Sequence, residues 1–453
     1  MNATPAERPR GAGQLLAILG LGFGLAGAVG GSIGAGILRT PGLVAAQLGS
    51  APLVMAAWIL GGVIVLLGAI AVAELGAALP EAGGWTVYAR RALGDQAGLA
   101  VGWIDWLGHC VGLAWVAVTI GTYSLALFPA LPLSGSTIAL GVLLLFALIQ
   151  LAGLRAGSLS QQLLSLVKAL AFLALIAACL LWAPAHGPED VATGLGGVGL
   201  SGAGIGGPEL SSGAGIKALA LASVLALQAV VTTYDGWQSP IYFAEEFSEP
   251  SRDLPRSMIG GTLLVIGLVL LVNLALLRVV PMAELASSNL PLANAAERLL
   301  GPIGGQVILV LALICSLGLV NTSIMCAPRV LYGLSRDALL PPLFNQAGAN
   351  GTPTNALAVT TIASLLLVFA DFERLLGVAS LLYVLLYLLG MVCLLVLRWR
   401  EPDLPRPFQL PGTAGAAAVV GLVSMGYLVG AVLGDTSNSL LALALMATSL
   451  PLH

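Results

Sequence analysis

Two stretches carry residues whose types and spacing could do chemistry. The first is 29–41, VGGSIGAGILRTP, where Gly30, Gly31, Gly34 and Gly36 crowd the middle of a long apolar segment. Glycine costs a helix interior about 1 kcal/mol against alanine, so this is a poor place for a continuous helix. A break at bilayer depth strands N–H and C=O groups, and it survives only against a protein cavity or a bound solute. The second stretch is Thr232-Thr233-Tyr234-Asp235-Gly236-Trp237, where a glycine beside a carboxylate interrupts another apolar run. Each break would expose a half-helix N-terminus that attracts an anion and a half-helix C-terminus whose carbonyls accept from a cation. Such a pair suits a zwitterion with a carboxylate and an ammonium group, with no charged side chain needed. Gly34 and Gly36 would let it approach the backbone closely. For the first stretch alone, the alternative is small residues serving helix packing; a matched second break weighs against it.

Other polar residues inside apolar runs are weighed singly. Lys168, in LLSLVKALAFLAL, is a charge whose burial costs at least about 2.5 kcal/mol. It could exchange a proton, or serve as a static tether on carbonyls freed by the first break. Asp235 could meet a cationic substrate, accept a proton, or cap the half-helix that follows it. Asp105 and His109, one turn apart, could satisfy each other or relay a proton. Glu74 reads as an anchor to the neighbouring loop, and Trp103 and Trp106 as an interfacial aromatic belt. The Gly-rich run at 194–207 is no phosphate loop, because no Gly-Lys-Ser/Thr follows it.

The elements that hold these residues must be membrane helices. The 453 residues are 58% hydrophobic and 9% charged, with mean hydropathy +0.99, whereas soluble domains carry about 25% charged residues. Twelve apolar spans are predicted, at 14–43, 52–79, 98–128, 134–154, 159–182, 216–247, 258–280, 303–332, 355–370, 375–397, 414–433 and 437–450. An amphipathic stretch, 282–300, precedes the eighth span, and the N-terminus has no cleavable signal pattern. With the N-terminus inside, short cytoplasmic loops collect twelve of the 18 basic residues, among them Arg90, Arg91, Arg252, Arg329, Arg336 and Arg398. That bias places both termini in the cytoplasm. The five cysteines all fall in apolar segments, against a disulfide framework.

The breaks lie five spans apart, an odd number, so the second copy is inverted relative to the first. The expected fold is all-α and integral to the membrane: twelve helices in a 5+5 inverted repeat, helices 1 and 6 broken, plus two extra helices. It divides into a cytoplasmic tail (1–13), a first repeat (14–182), an extracytoplasmic Gly-rich loop (183–215), a second repeat (216–397), and helices 11–12 with the C-terminus (398–453).

At these residues the chain resembles the amino acid–polyamine–organocation superfamily, and within it the L-type amino acid transporter branch and its bacterial relatives. The first break is similar to that family's Gly-Ser-apolar-apolar-Gly-Ser-Gly-apolar-Phe segment. Glu74-Leu75, Pro80, Gly83-Gly84 and Tyr88 resemble its cytoplasmic-loop signature, and Tyr234-Asp235-Gly236-Trp237 with Glu245-Glu246, Pro250, Arg252 and Pro255-Arg256 its sixth-span stretch. Asn321, Ser323, Arg329, Ser335-Arg336 and Leu340-Pro341 follow in order. The resemblance covers spans one to ten.

It implies that backbone across Ser32, Ile33, Gly34, Ala35 and Gly36 holds a substrate carboxylate, and that backbone at Val29 and in the sixth-span break holds the ammonium. Thr232, Thr233, Tyr234, Asp235 and Gly236 would face the substrate or its gate. Lys168 would take the place of the sodium ion of sodium-coupled relatives, and Cys326-Ala327-Pro328 offers no hydroxyl ligands to sodium. Two departures stand out: Ala35 replaces a common serine and Leu38 a common phenylalanine.

The expected function is secondary transport of neutral L-amino acids by proton symport or exchange, spans one, two, six and seven rocking against a scaffold in the cell membrane. The alternatives are a carrier of cationic amino acids or polyamines, or a membrane sensor that keeps the site. No catalytic residues, metal, cofactor or nucleic acid are expected. The loop at 129–135 has no cysteine, so no disulfide-linked heavy chain is expected either.

Overall fold

The computed structural model describes residues 14–34, 36–182, 213–434 and 436–449. The expectations for the tail, for Ala35 and for most of the 183–215 loop therefore lie outside the described residues. What is described is all-helical, with sixteen α-helices, α1 to α16.

The first span is the bent pair α1 (Leu21–Ser32) and α2 (Gly36–Leu48), whose axes differ by 48°. Then come α3 (Ala51–Ala78), α4 (Trp85–Leu93), α5 (Asp95–Leu127), α6 (Gly135–Leu151) and α7 (Leu154–Leu181). The second half holds α8 (Gly213–Thr233), a 3-10 helix (Ser239–Glu246), α9 (Pro250–Val279), α10 (Met282–Ser287), α11 (Pro291–Leu300) and α12 (Ile303–Arg336). The tail is α13 (Thr354–Leu367), α14 (Phe372–Arg400), α15 (Thr413–Gly434) and α16 (Thr436–Ala447). Seven helices are long and apolar enough to cross a bilayer, the bent pair makes an eighth span, and four shorter apolar helices complete the twelve.

Local sequence sets the boundaries. Pro52 and Pro250 stand in the first turns of α3 and α9, where the missing N–H has no intrahelical partner to lose. Ser134 and Asp371 cap α6 and α14 by accepting from the N–H groups of Thr137 and Arg374, at 3.1 and 3.0 Å. Outer positions such as Leu144, Leu145, Leu148, Leu163 and Leu166 are exposed, as suits helices that meet lipid.

α5 and α12 pack along much of their length and form the centre; α1 lies against α9 and α7, and α3 against α9. Three details differ from the sequence expectation. Residues 14–20 are not helical: Leu19 pairs as an isolated parallel bridge with Phe247, its N–H donating to Glu246 O at 2.9 Å while Ser248 N donates to Leu19 O at 2.9 Å. The loop after the second span contains a helix, α4, that the reading by hydropathy passed over. The sixth span ends in a 3-10 turn and not an α-helix, with Pro240 in its first turn.

Candidate substrate site at the two helix breaks

In the first break, α1 stops at Ser32 and Ile33 adopts φ −84°, ψ 83°, outside the helical region. Ile33 N still donates to Val29 O at 3.0 Å and Gly34 N to Ser32 O at 3.0 Å. The carbonyls left over are taken by Lys168, whose Nζ donates to Gly30 O at 2.8 Å and to Ile33 O at 3.0 Å. Lys168 is fully buried. Below it on α7, Ser165 Oγ and Gln161 Nε2 both donate to Ala26 O, at 2.8 and 3.3 Å. Gln161, Ser165 and Lys168 recur at helical spacing, so one polar stripe of α7 grips the backbone of α1. Gly30 leaves room for this grip: a Cβ there would meet Gln161 Nε2 at 1.7 Å and push the amide from its place. Among the described residues Ser32 Oγ is buried with no hydrogen-bond partner, and a buried hydroxyl left unpaired costs about 1–3 kcal/mol. Gly36 opens α2 on an exposed flank, whereas Leu38 is buried in the core.

In the second break, α8 ends at Thr233 and residues 234–238 turn before the 3-10 helix. Gly236 has φ +111°, a conformation that L side chains resist. Its N–H donates to Gln238 Oε1 at 3.2 Å and its carbonyl accepts from Ser239 Oγ at 2.6 Å. Asp235 Oδ1 accepts from Gln238 Nε2 at 3.3 Å. Gln238 therefore closes the turn on both sides, and of the three roles open to Asp235 the cap is absent: the 3-10 helix that follows has no side-chain cap hydrogen bond.

The threonines part company. Thr233 Oγ1 donates to Thr40 Oγ1 at 2.7 Å and ties α8 to α2, while Thr232 is exposed and donates to Gln228 O at 2.9 Å. Tyr234 is buried against Trp58, its hydroxyl donating to Trp58 O at 3.2 Å. The two breaks touch through glycine backbone. A Cβ on Gly31 would lie 2.6 Å from Gly236 O, and one on Gly236 would lie 2.2 Å from Gly31 C.

Around the breaks, several buried polar groups are spoken for. Tyr242 donates to Asp105 Oδ1 at 2.8 Å, and His109 Nδ1 lies 3.2 Å from the same oxygen. Among the described residues Asp105 Oδ2 is buried with no hydrogen-bond partner. Glu74 does act as an anchor, but to the far end of α14: Arg398 grips it with two hydrogen bonds of 2.9 and 2.6 Å. Trp106 is no interfacial residue; it is buried and donates to Thr360 Oγ1 at 3.0 Å, and Trp103 donates to Thr448 Oγ1 at 2.8 Å. At the far end of the sixth span, Arg329 holds Glu246 bidentately at 2.7 and 3.0 Å, both buried, with its guanidinium 4.7 Å from the Phe243 ring centroid. Arg336 joins Glu245, Glu81 and Asp337, each at 3.0 Å.

Sequence reasoning missed Gly31, Gln238 and Ser239 as parts of the crossing. It also missed Gln161 and Ser165, although their spacing with Lys168 on an apolar helix was a readable signal. Among the described residues no cluster of His, Cys, Asp and Glu could hold a metal ion, and Cys110, Cys179, Cys315, Cys326 and Cys393 are buried and free.

Known proteins share this arrangement of sequence. The chain is 26% identical to the serine/threonine exchanger SteT of Bacillus subtilis (strain 168) over 402 residues, 87% of this chain and 86% of that one. It is 29% identical to the human large neutral amino acids transporter small subunit 2 over 398 residues, 84% of this chain and 70% of that one. With the mouse Asc-type amino acid transporter 1 it shares 28% over 390 residues, again 84% and 70%. The amino acid permease family model matches residues 16–450. Two broken helices in an all-helical membrane fold and a family match across nearly the whole length lead to one conclusion: this chain is a multi-pass membrane protein of the amino acid permease family.

Proposed function

We propose that the chain exchanges neutral L-amino acids across the cell membrane by alternating access, without sodium. The observation that carries this reading is the Lys168 ammonium seated on Gly30 O and Ile33 O, beside the unpartnered Ser32 Oγ. A fixed cation already satisfies the carbonyls where a sodium ion would need oxygen ligands. The N–H groups opening α2 are then available to a carboxylate, with Ser32 Oγ as an added donor and the remaining carbonyls of the breaks for the ammonium. Val29, Ile33, Gly34, Ala35 and Gly36 on one side, and Thr233 to Gly236 on the other, form the site in this reading. Thr232 serves it from outside. Asp235 engages Gln238, which favours neutral over cationic side chains.

Exchange is preferred because SteT, similar across most of its length, is named an exchanger. Residues 14–182 and 216–397 act as the two repeats, with both termini cytoplasmic and no disulfide-linked partner. One observation favours proton symport as the second reading: Asp105 Oδ2 is buried and unpartnered where Tyr242 meets α5.

The test is labelled amino-acid uptake into proteoliposomes, either empty or preloaded with unlabelled amino acid. Exchange predicts uptake only into preloaded vesicles, whatever the sodium concentration. Uptake into empty vesicles driven by an acid-outside gradient would favour symport, and binding without any flux would sink both.

A further inference from the structure

A chain of buried amides joins three helices to the first span. Gln150 of α6, Asn321 of α12 and Gln161 of α7 are all buried. Gln150 Nε2 donates to Asn321 Oδ1 at 2.9 Å, and Asn321 Nδ2 donates to Gln161 Oε1 at 2.8 Å. Gln161 Nε2 in turn donates to Ala26 O of α1 at 3.3 Å and to Ser165 Oγ at 3.2 Å. Ser160 Oγ shares its one hydrogen between Gly157 O, at 2.8 Å, and Asn321 Oδ1, at 3.1 Å. Gly157 makes space for the chain, since a Cβ there would come within 2.2 Å of Gln150 Oε1.

The sense of each amide follows from its backbone contacts. A main-chain carbonyl only accepts, so Gln161 meets Ala26 O with its NH2 and turns its oxygen to Asn321. Asn321 must then present its own NH2 to Gln161, and that same group meets a second main-chain acceptor, Gly157 O, at 3.3 Å. Its oxygen is left to accept from Gln150. All three amides therefore donate in one direction, from α6 through α12 and α7 to α1. Turning Asn321 or Gln161 over would set oxygen against oxygen at one bond and N–H against N–H at the other. Buried polar groups mismatched in that way have no water to fall back on.

The place where the chain ends gives it a function. Ala26 O lies one turn before Gly30 O, the carbonyl that Lys168 takes, and α1 stops two residues after Gly30. Among the described residues Asn321 makes no hydrogen bond to α1, so its hydrogen bonds reach that helix only through Gln161. We propose that Asn321 is a positioning residue for the substrate site: it holds the Gln161 amide in one sense and so sets the last turns of α1 and the break beyond them. This rests on the transport reading above. Without Asn321 the Gln161 amide is free to turn, Ala26 O loses a donor, and the cradle for the substrate carboxylate shifts. Binding suffers before turnover does.

The experiment is initial-rate exchange in preloaded proteoliposomes, with each variant first run by size-exclusion chromatography in detergent. Asn321→Leu and Gln161→Met each raise KM about tenfold, a loss of roughly 1.4 kcal/mol, with kcat nearly unchanged. The double variant raises KM no further than either single one, because both changes cut the same path. Gln150→Met, one helix further out, gives a smaller rise. Asn321→Ala takes the place of Asn321→Leu if the larger side chain prevents folding, with the same expected result. An unchanged KM in the Asn321 variant overturns the positioning role, as does a fall in kcat alone. A rise of about a hundredfold in the double variant, the product of two independent effects, overturns the path through Gln161. Wild-type vesicles without flux of any amino acid overturn the transport reading and the positioning role with it, whereas wild-type flux with unaffected variants overturns the positioning role alone.

Discussion

Gly31 and Gly236 meet backbone to backbone where the two broken spans cross, so close that a Cβ on Gly236 would lie 2.3 Å from Gly31 O and 2.7 Å from Ser32 N. Neither position has room for a methyl group, and Gly236 also carries φ +111°, strained by about 1–2 kcal/mol for an L residue. Gly236→Ala and Gly31→Ala are expected to separate the spans. Proteoliposome flux should fall at least about tenfold while membrane insertion, read by size-exclusion chromatography in detergent, persists. Wild-type flux in Gly236→Ala would show that the crossing can open freely.

Lys168 makes both its hydrogen bonds to the first break, at Gly30 O and Ile33 O. Lys168→Met removes the donor and leaves two buried carbonyls bare, each costing about 1–3 kcal/mol. Exchange is expected to drop to under about a tenth of wild type, in line with that cost. A static tether leaves the residual flux of Lys168→Ala with the wild-type pH profile, whereas a changed profile would mean that the lysine trades a proton during the cycle.

The buried Arg329–Glu246 pair ties α12 to the 3-10 helix. Removing one partner of a buried ion pair strands the other charge, at about 3–5 kcal/mol. Glu246→Ala should lower the melting temperature of the purified protein sharply. Replacing both residues, Arg329→Met with Glu246→Leu, should recover much of it. An unchanged melting temperature in Glu246→Ala would mean that water reaches the pair.

On the exposed surface, Arg91 holds Glu401 with two hydrogen bonds of 2.8 and 2.7 Å. The guanidinium pulls the Glu401 carboxyl below its ordinary 4.5. A carboxylate with a depressed folded value stabilises above the ordinary range, and loses that contribution as pH falls through the folded value. The wild type should therefore exceed Glu401→Gln in melting temperature at neutral pH, by an amount reflecting at most about 1 kcal/mol for so exposed a pair. The gap should close as the pH is taken below 4.5. A gap that stays constant down to strong acid would assign it to packing.

Much of this architecture is readable from residue order because bilayer physics is strict. Apolar length fixed the spans, and glycine where a continuous helix was needed marked both breaks, at Gly34–Gly36 and at Gly236. What lay beyond reach was contact between distant parts. Leu19 reads as span in any hydropathy window, yet its backbone pairs with Glu246 and Ser248 more than 200 residues away. α4 was hidden because nine residues with two arginines look like loop to a method tuned for spans. Trp106 owes its role to a partner on another element, Thr360 of α13. Asp235 was the charged residue and drew the attention, while an uncharged amide, Gln238, bonds both Asp235 and Gly236 within the turn.

The grip of α7 on α1 falls wholly on backbone oxygen: Ala26 O, Gly30 O and Ile33 O. Every residue has a carbonyl, so the gripped helix contributes nothing that depends on its own side chains beyond leaving room for the grip. Inheritance can therefore redraw α1 outside the tight glycines, Gly30 and Gly31, and lose none of these bonds. Gln161, Ser165 and Lys168 have no such freedom, and the memory of how the first span is held resides in the fifth.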